Sequence, residues 1–483
     1  MLLAGRVTWD TDRVGLGVIR RLRRATPVFE PTIDQGVPSG QRRCPFPSRK
    51  SARPAVSHAC AYRGRMGELD ADGDSSPASK HYDVIVVGAR CAGAPLAMLL
   101  ARAGHSVLLL DRARFPSDTM STHWILRPGI ELLSKWGLLP DLMATGCPPI
   151  RRISLCFGST TFSGEPTTPR GTATTFAPRR TVLDALLTRA ARTAGAELRE
   201  GFAVRDVLRE DGRVRGVVGQ SRDGRAVVVR SRLVIGADGR NSTVARAVRA
   251  PLVEDRGALA AISYDYWSDV PVQGVQAHFH HRAAVSLWPT HDERTVVSLS
   301  FPRPDFAAHR GEAERYYLRA LRGVPEVAER IGTGSREGRF HTAASLRNFT
   351  RRSHGPGWAL AGDAAHHKDP ITAWGISEAF TDAQALAAAV HAGLTGLTPM
   401  ERALARYEDR RNAARAALLD FTCEQACPAS FGGAVARLVP AIGTTQDVAD
   451  ELAGVIAGST RVEDFLHPAN IVRIMDRGTA VRR

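Results

Sequence analysis

The chain has 483 residues, of which 43% are hydrophobic and 24% charged, with 44 Gly and 28 Pro; at roughly 100–200 residues per domain it holds two or three domains, which excludes a peptide hormone or a small disulfide scaffold. This is the composition of a folded globular protein and not of a disordered one. The formal charge of +16 sets 65 Lys and Arg against 49 Asp and Glu, yet only Lys50, Lys80, Lys135 and Lys368 are lysines, and thirteen basic residues crowd into residues 1–65 beside four acids; with no interleaved aromatics, the excess does not read as a nucleic-acid surface.

Residues 1–80 carry neither a helical nor a strand period, and from Pro31 to Lys80 they run in Pro, Ser, Gly, Arg and Asp, so a disordered leader is expected. An Arg-rich, acid-poor leader also suits an organellar transit peptide. The simpler expectation is that Met66, followed by a short acidic stretch, is the functional start and that the part upstream is not translated.

Order begins at His81. Asp83–Val87 is a short β-branched apolar run, hence a buried parallel-type strand; Gly88-Ala-Arg-Cys-Ala-Gly93 then turns into a helix over Ala94–Ala103, and Ser106–Leu110 is a second strand ending at Asp111. This is a βαβ unit. Arg180–Ala194 reads as a helix, followed by strands near 196–206, 214–219 and 226–236. Strands at Ala261–Trp267, Val275–His280, Ala284–Trp288 and Thr295–Phe301 predict an inserted, mainly antiparallel sheet, and helical patterns return over Asp382–Ala426 and Val448–Ala457.

Seven Cys scattered over so long a chain read as reduced thiols of a cytoplasmic protein and not as a disulfide framework. Cys423 and Cys427 share a helix face, but no His or second Cys pair completes a zinc set, and no metal is expected. His278, His280, His281 and His291 lack a carboxylate at a matching spacing and read as cavity or surface residues. No apolar run reaches about 18 residues and Met1–Asp10 lacks a secretory core, so neither a transmembrane segment nor export is expected.

Three segments carry chemistry. In Gly88-x-Arg90-x-x-Gly93, Gly88 permits the tight turn and Gly93 close strand–helix packing; the helix start faces a pyrophosphate, and Asp111, 23 residues past Gly88, accepts from ribose hydroxyls. Arg90 stands where a second glycine is usual, and an outward-pointing side chain would keep the turn open. The second segment is Leu233-Val-Ile-Gly-Ala-Asp238-Gly, a strand ending in an acid–glycine turn before a helix. The third is Trp358-Ala-Leu-Ala-Gly362-Asp363, a strand whose last carboxylate sits at a sheet edge, continuing through Pro370 to Gly375 and a helix over Ile376–Val390.

Together, in this order and at these spacings, the three resemble the FAD-dependent monooxygenases of the p-hydroxybenzoate hydroxylase type, a superfamily that also contains geranylgeranyl reductases and flavin-dependent halogenases. The resemblance spans about residues 81–415. It implies a doubly wound, Rossmann-like α/β FAD domain assembled from residues 81–150, 179–250 and 345–400. A mainly β substrate domain would come from 151–178 and 251–344, and a helical C-terminal region from 401–483.

By the same resemblance Gly88, Gly93 and Asp111, with neighbouring Arg112, would hold the adenosine end of FAD. Gly362 and Asp363 would contact its ribityl side, and Asp238 would lie near the pyrophosphate and the nicotinamide route. Arg127, opening Arg-Pro-Gly-Ile-Glu-Leu-Leu, and Arg180 match arginines that meet FAD phosphates, with a solvated surface charge as the alternative for each. Pro370–Gly375 would face the flavin; Ala373-Trp374-Gly375 lacks one glycine of the family's Gly-x-Gly and puts Trp374 at the flavin's level. The helix starting after Gly375 would aim its positive end at the isoalloxazine. Tyr264 and Tyr266, on one strand face, and His123, in the polar stretch Ser117–His123, are the substrate-side residues, with sheet packing equally open for the tyrosines.

The activity implied is NAD(P)H- and O2-dependent monooxygenation through a flavin C4a-hydroperoxide, hydroxylating or epoxidising a medium-sized aromatic or polyketide-like molecule in secondary metabolism. A prenyl double-bond reductase is the second reading. Halogenation is disfavoured by the lack of a Trp-x-Trp-x-Ile-Pro segment. A redox-inactive flavoprotein that binds a ligand or partner is the remaining class, and the oligomeric state is not legible.

Overall fold

The computed structural model describes residues 81–480 except 159, 169–170, 281–282, 310, 427–437, 439–440 and 443–444; the expected leader, Met66 and Cys427 lie outside the described residues. A central parallel sheet runs in the order Glu197–Glu200, Val107–Asp111, Tyr82–Val87, Ala226–Gly236, Trp358–Leu360. Its strands alternate, as both-face burial requires. Val84, Val86 and Leu109 pack into one cluster with the helices Gly93–Arg102, Arg127–Trp136, Arg180–Thr193 and Gly375–Leu394. Ile85, Val87, Leu108 and Leu110 pack into another. This second face is covered by the strands Ala203–Glu210 and Arg213–Gln220 with the first half of Ala226–Gly236, an antiparallel layer bearing Val207, Val217 and Val229. Each such buried side chain stabilises the sheet by about 1.5–3 kcal/mol.

The register sets the strand ends level. Val87 lies opposite both Leu110 and Gly236, and Gly236 opposite Leu360. Because all these strands are parallel, the Gly88 turn, Asp111, Asp238 and Asp363 emerge along one carboxyl edge, where ligands of open α/β sheets bind.

The second sheet has seven strands in the order Ser335–Ala343, Ala260–Ser268, Thr295–Pro302, Ala283–Pro289, Val275–His280, Ile153–Phe157, Thr160–Gly164. All pairs are antiparallel save Ile153–Phe157 with Val275–His280. One face carries Tyr264, Tyr266 and Trp288, continuous with Ala373, Leu452 and Val455. The other is covered by Arg303–Ala308, Ala313–Arg322 and Pro325–Thr333, three helices the sequence reading did not draw although Tyr317, Leu321, Val324 and Val327 recur at helical spacing and are buried. The Asp382–Ala426 pattern is two helices, Gly375–Leu394 and Met400–Ala426, parted around Pro399. No described helix is long and apolar enough to cross a membrane.

Candidate cofactor and substrate site

The first turn is shaped for close approach. Gly88 has φ +102°, and a Cβ there would lie 2.4 Å from the Ala237 carbonyl oxygen; at Gly93 it would lie 1.8 Å from the Gly88 oxygen. Only glycine fits either position. The Asp111 carboxylate accepts from Ala89 N at 2.7 Å through Oδ2 and from Ala113 N at 2.8 Å through Oδ1, so it folds the turn as well as facing it. Arg90 does not point freely outward. It pairs with Asp184, donates to Ser117 Oγ at 2.8 Å and lies over the Phe115 ring. Its side chain is thus drawn aside from the turn, whose residues Ala89, Cys91 and Ala92 are buried.

Arg180 is buried and makes three hydrogen bonds to the same Asp184, which therefore bridges two guanidinium groups at the foot of the turn. Asp363 is near enough for its charge to act on Arg180. Gly362, at φ +57°, donates its N–H to Asp382 Oδ2 at 2.8 Å, while the Asp363 carboxylate takes no hydrogen bond from a described residue. Asp238 is differently engaged: it accepts from Ser242 Oγ at 2.5 Å and from Thr243 N at 2.6 Å, bracing Ser242, the N-cap of the helix Thr243–Ala247. Its backbone, not its carboxylate, adjoins the Gly88 turn. Arg127 is half-buried and paired with Glu131 at 2.6 Å. Arg112 is exposed, near Arg114, Arg205 and Arg222 along a surface groove.

At the far end, Asp369 accepts from Ile371 N at 3.1 Å and caps a short turn over Pro370–Thr372; burial pushes its carboxyl up to about 6. Ala373 takes φ +56°, the left-handed conformation that explains why a glycine would be at home there. Gly375 has an ordinary φ, and a Cβ on it meets nothing within 4 Å; the helix it opens has no side-chain cap. Trp374 packs on Gly458, where a Cβ would lie 3.0 Å from the indole and 2.9 Å from Pro128.

The segment following Asp111 reaches the second sheet. His123 is fully buried at φ +63°, its Nε2 2.8 Å from Tyr266 Oη and its ring edge-on to Tyr264 and Tyr266. Burial, with Arg180, His341 and Arg179 nearby, lowers its pKa to about 3, so the imidazole is neutral. Tyr264 Oη accepts from Ser121 N, and its ring stacks on His341; Arg179 lies over the Tyr266 ring. Burial pushes Tyr264 far up and Tyr266 up to about 12. Away from this cluster, His291 bonds Thr145 and the Arg179 N–H, and His278 is buried.

A turn only glycine can build, an acid facing it, an uncovered carboxylate at Asp363 and an uncapped helix start at Gly375 fit an extended dinucleotide laid along the sheet edge. The sequence family described as FAD binding domain matches residues 81–422. The chain belongs to this family. As a member it is an FAD-dependent oxidoreductase. It is 31% identical to a 6-methylpretetramide 4-monooxygenase from Streptomyces rimosus over 350 residues, 68% of this chain and 80% of that protein. It is 27% identical to a digeranylgeranylglycerophospholipid reductase from Methanopyrus kandleri over 307 residues, 61% and 73% of the two chains. In fold it resembles a flavin-dependent brominase with a TM-score of 0.68 at 20% identity, covering 83% of this chain and all of the other.

Several residues around this candidate site of the oxidoreductase carry little signal in the sequence. Asp184 stands four residues after Arg180 on a helix, a spacing that signals a side-chain pair, but its bond to Arg90 crosses 94 residues. Arg179 and His341 come to the tyrosines only through tertiary packing. Lys368 is buried against Glu378, with no local pattern to announce it.

Proposed function

We propose that this oxidoreductase is a monooxygenase that uses NAD(P)H and O2 to hydroxylate or epoxidise a medium-sized aromatic or polyketide-like molecule, in the cytoplasm and in secondary metabolism. One observation carries the reading. The wall continuous with the Ala373–Trp374 turn combines Trp124 and Trp288 with two phenols kept protonated and an imidazole kept neutral. Protonated phenols and a neutral imidazole among large aromatic faces, with Arg179 over the Tyr266 ring, suit a flat, hydroxylated ring system. The similarity to a monooxygenase named for 6-methylpretetramide supports the same class.

When bound, FAD would supply the redox chemistry between nicotinamide and O2. Gly88, Gly93, Asp111, Arg180 and Asp363 bind and orient it, with Arg112, Arg127 and the backbone at Asp238 along its route. The helix start at Gly375 presents a positive dipole end to it. Tyr264, Tyr266 and His123 position the substrate, with Tyr266 Oη and His123 Nε2 hydrogen-bonded at 2.8 Å. Nicotinamide visits and does not reside: Gly332-x-Gly334 closes the helix Pro325–Thr333 and leads into an antiparallel strand, with the Gly334 Cβ position 2.3 Å from Val270, so it is not a strand–turn–helix dinucleotide site.

Anaerobic mixing with NADH or NADPH, with and without polycyclic phenols, followed by O2, tests the reading. Substrate should accelerate bleaching of the flavin absorbance, and the product should gain one oxygen atom. A product with two added hydrogens and no O2 consumed would instead support the prenyl reductase reading, which the similarity to a reductase favours. A product formed only with halide would mark halogenation, and no bleaching with either nicotinamide would overturn nicotinamide-driven catalysis.

A further inference from the structure

We propose that Arg415, on the helix Met400–Ala426, is a positioning residue for the flavin cofactor, acting through Asp382 on the Gly362–Asp363 turn and through Glu378 on the flavin-facing helix. Arg415 NH2 donates to Asp382 Oδ1 at 2.7 Å and to the Glu378 carbonyl oxygen at 2.9 Å, and NH1 reaches Asp382 Oδ2 at 3.3 Å. That same Oδ2 accepts the Gly362 N–H at 2.8 Å. The Glu378 carboxylate lies 3.6 Å from Arg415 Nε and is paired with Lys368. All four charged side chains are at least nine-tenths buried.

The consequence is geometric. Gly362 holds a left-handed φ, and the direction in which Asp363 projects depends on where its N–H is anchored. Asp382 is that anchor, and Asp382 is itself oriented by the two-pronged guanidinium, a geometry that a lysine ammonium cannot reproduce. The other branch holds the first turn of Gly375–Leu394 against Lys368, which belongs to the segment leading into Pro370. One side chain therefore ties the ribityl-side acid to the flavin-facing turn. The helix that carries it is fastened independently, through Glu408, which accepts from Ser353 N at 2.5 Å and Ser353 Oγ at 2.9 Å.

The inference rests on FAD being the cofactor, and a wild-type protein that fails to bind added FAD would overturn that assignment before any variant is read. The test compares Arg415→Lys with Arg336→Lys, which weakens another largely buried pair, Arg336–Asp265, in the substrate sheet. Melting temperature of the apo protein, FAD Kd by fluorescence quenching and visible circular dichroism of the bound flavin are measured for both. Arg415→Lys should raise Kd roughly ten- to a hundredfold, the scale of one or two charge-assisted hydrogen bonds, and alter the flavin dichroism. Arg336→Lys should lower the melting temperature comparably yet leave Kd within about twofold, as a site sharing no partner with the turn. Asp382→Asn, which keeps an acceptor for the Gly362 N–H, supplies the same readouts if Arg415→Lys does not fold, and should also weaken FAD. Unchanged Kd and dichroism in the Arg415 or Asp382 variant, or equal loss of affinity in Arg336→Lys, would overturn the proposal.

Discussion

Asp111 and Asp363 both stand at strand ends on the same sheet edge, yet their removal should read differently. Asp111 satisfies two backbone N–H groups, and a buried donor left without an acceptor costs about 1–3 kcal/mol; Asp111→Ala should lower both the melting temperature and FAD affinity. Asp363 satisfies no described donor, so Asp363→Ala should weaken FAD binding while leaving the apo melting temperature unchanged. Titration of FAD into the apo variants, paired with thermal unfolding, checks both. His123 gives a pH signature. Its pKa falls from 6.5 to about 3 on folding, so between those values the unfolded chain binds the extra proton and stability is lost as pH drops, by at most about 1.4 kcal/mol per pH unit. Asp369 has the opposite sign: its carboxyl rises from 3.8 to about 6, so it opposes folding most above pH 6 and least below 3.8. Asp369→Asn, which keeps the acceptor for Ile371 N, should stabilise the protein at pH 8 by on the order of 2 kcal/mol. Urea unfolding at pH 8 and pH 5 measures the sign.

Among the elements, the two turns at the ends of the site make different demands on glycine. Gly93→Ala would force a Cβ against the Gly88 carbonyl oxygen and should abolish FAD retention. Gly375 adopts no positive φ and its Cβ direction is open, so Gly375→Val should leave the apo fold intact and act only on what occupies the space before it, lowering turnover or FAD affinity. The residue of this turn that does hold the left-handed conformation is Ala373. Because such a conformation costs an L-residue roughly 1–2 kcal/mol, Ala373→Gly should be neutral or stabilising, as thermal unfolding will show. The order of the elements was legible because glycine, strand and terminal acid fall in sequence at Gly88–Asp111. Which residue of Ala373-Trp374-Gly375 would need the unusual φ was not, since that depends on how the chain leaves the Asp369 cap and enters the next helix.

At the scale of the molecule, the helix Gln446–Ala457 packs on the outermost strand of the second sheet. A Cβ at Gly164 would stand 2.3 Å from the Ala449 carbonyl oxygen, and Asp450 accepts the Glu165 N–H at 2.9 Å. Val448, Leu452, Val455 and Phe465 thereby join the cluster that contains Tyr264 and Trp288. Gly164→Val should separate this layer, lowering the melting temperature and opening residues 446–480 to protease while FAD affinity stays near wild type. Loss of FAD in parallel would show that the contact of Gly458 with Trp374 and Pro128 carries the change to the cofactor edge.

The amino-acid sequence by itself determined the parallel sheet edge and the residues placed on it. Glycine spacing, β-branched runs and terminal acids are local features, and a parallel sheet with both faces buried can align them in only one way. Tertiary structure alone decided what those acids do. Asp238 and Asp363 look alike as strand-ending acids, but Asp238 accepts from Ser242 and Thr243 at the start of the next helix while the Asp363 carboxylate takes no hydrogen bond from a described residue. Arg90 and Arg180 read as separate cations until Asp184 joins them, and Arg415 lies 33 residues beyond Asp382 with no period linking the two. Hydrogen bonds between distant segments depend on how helices cross the sheet, and that crossing is set by the packing of whole faces, which no local pattern encodes.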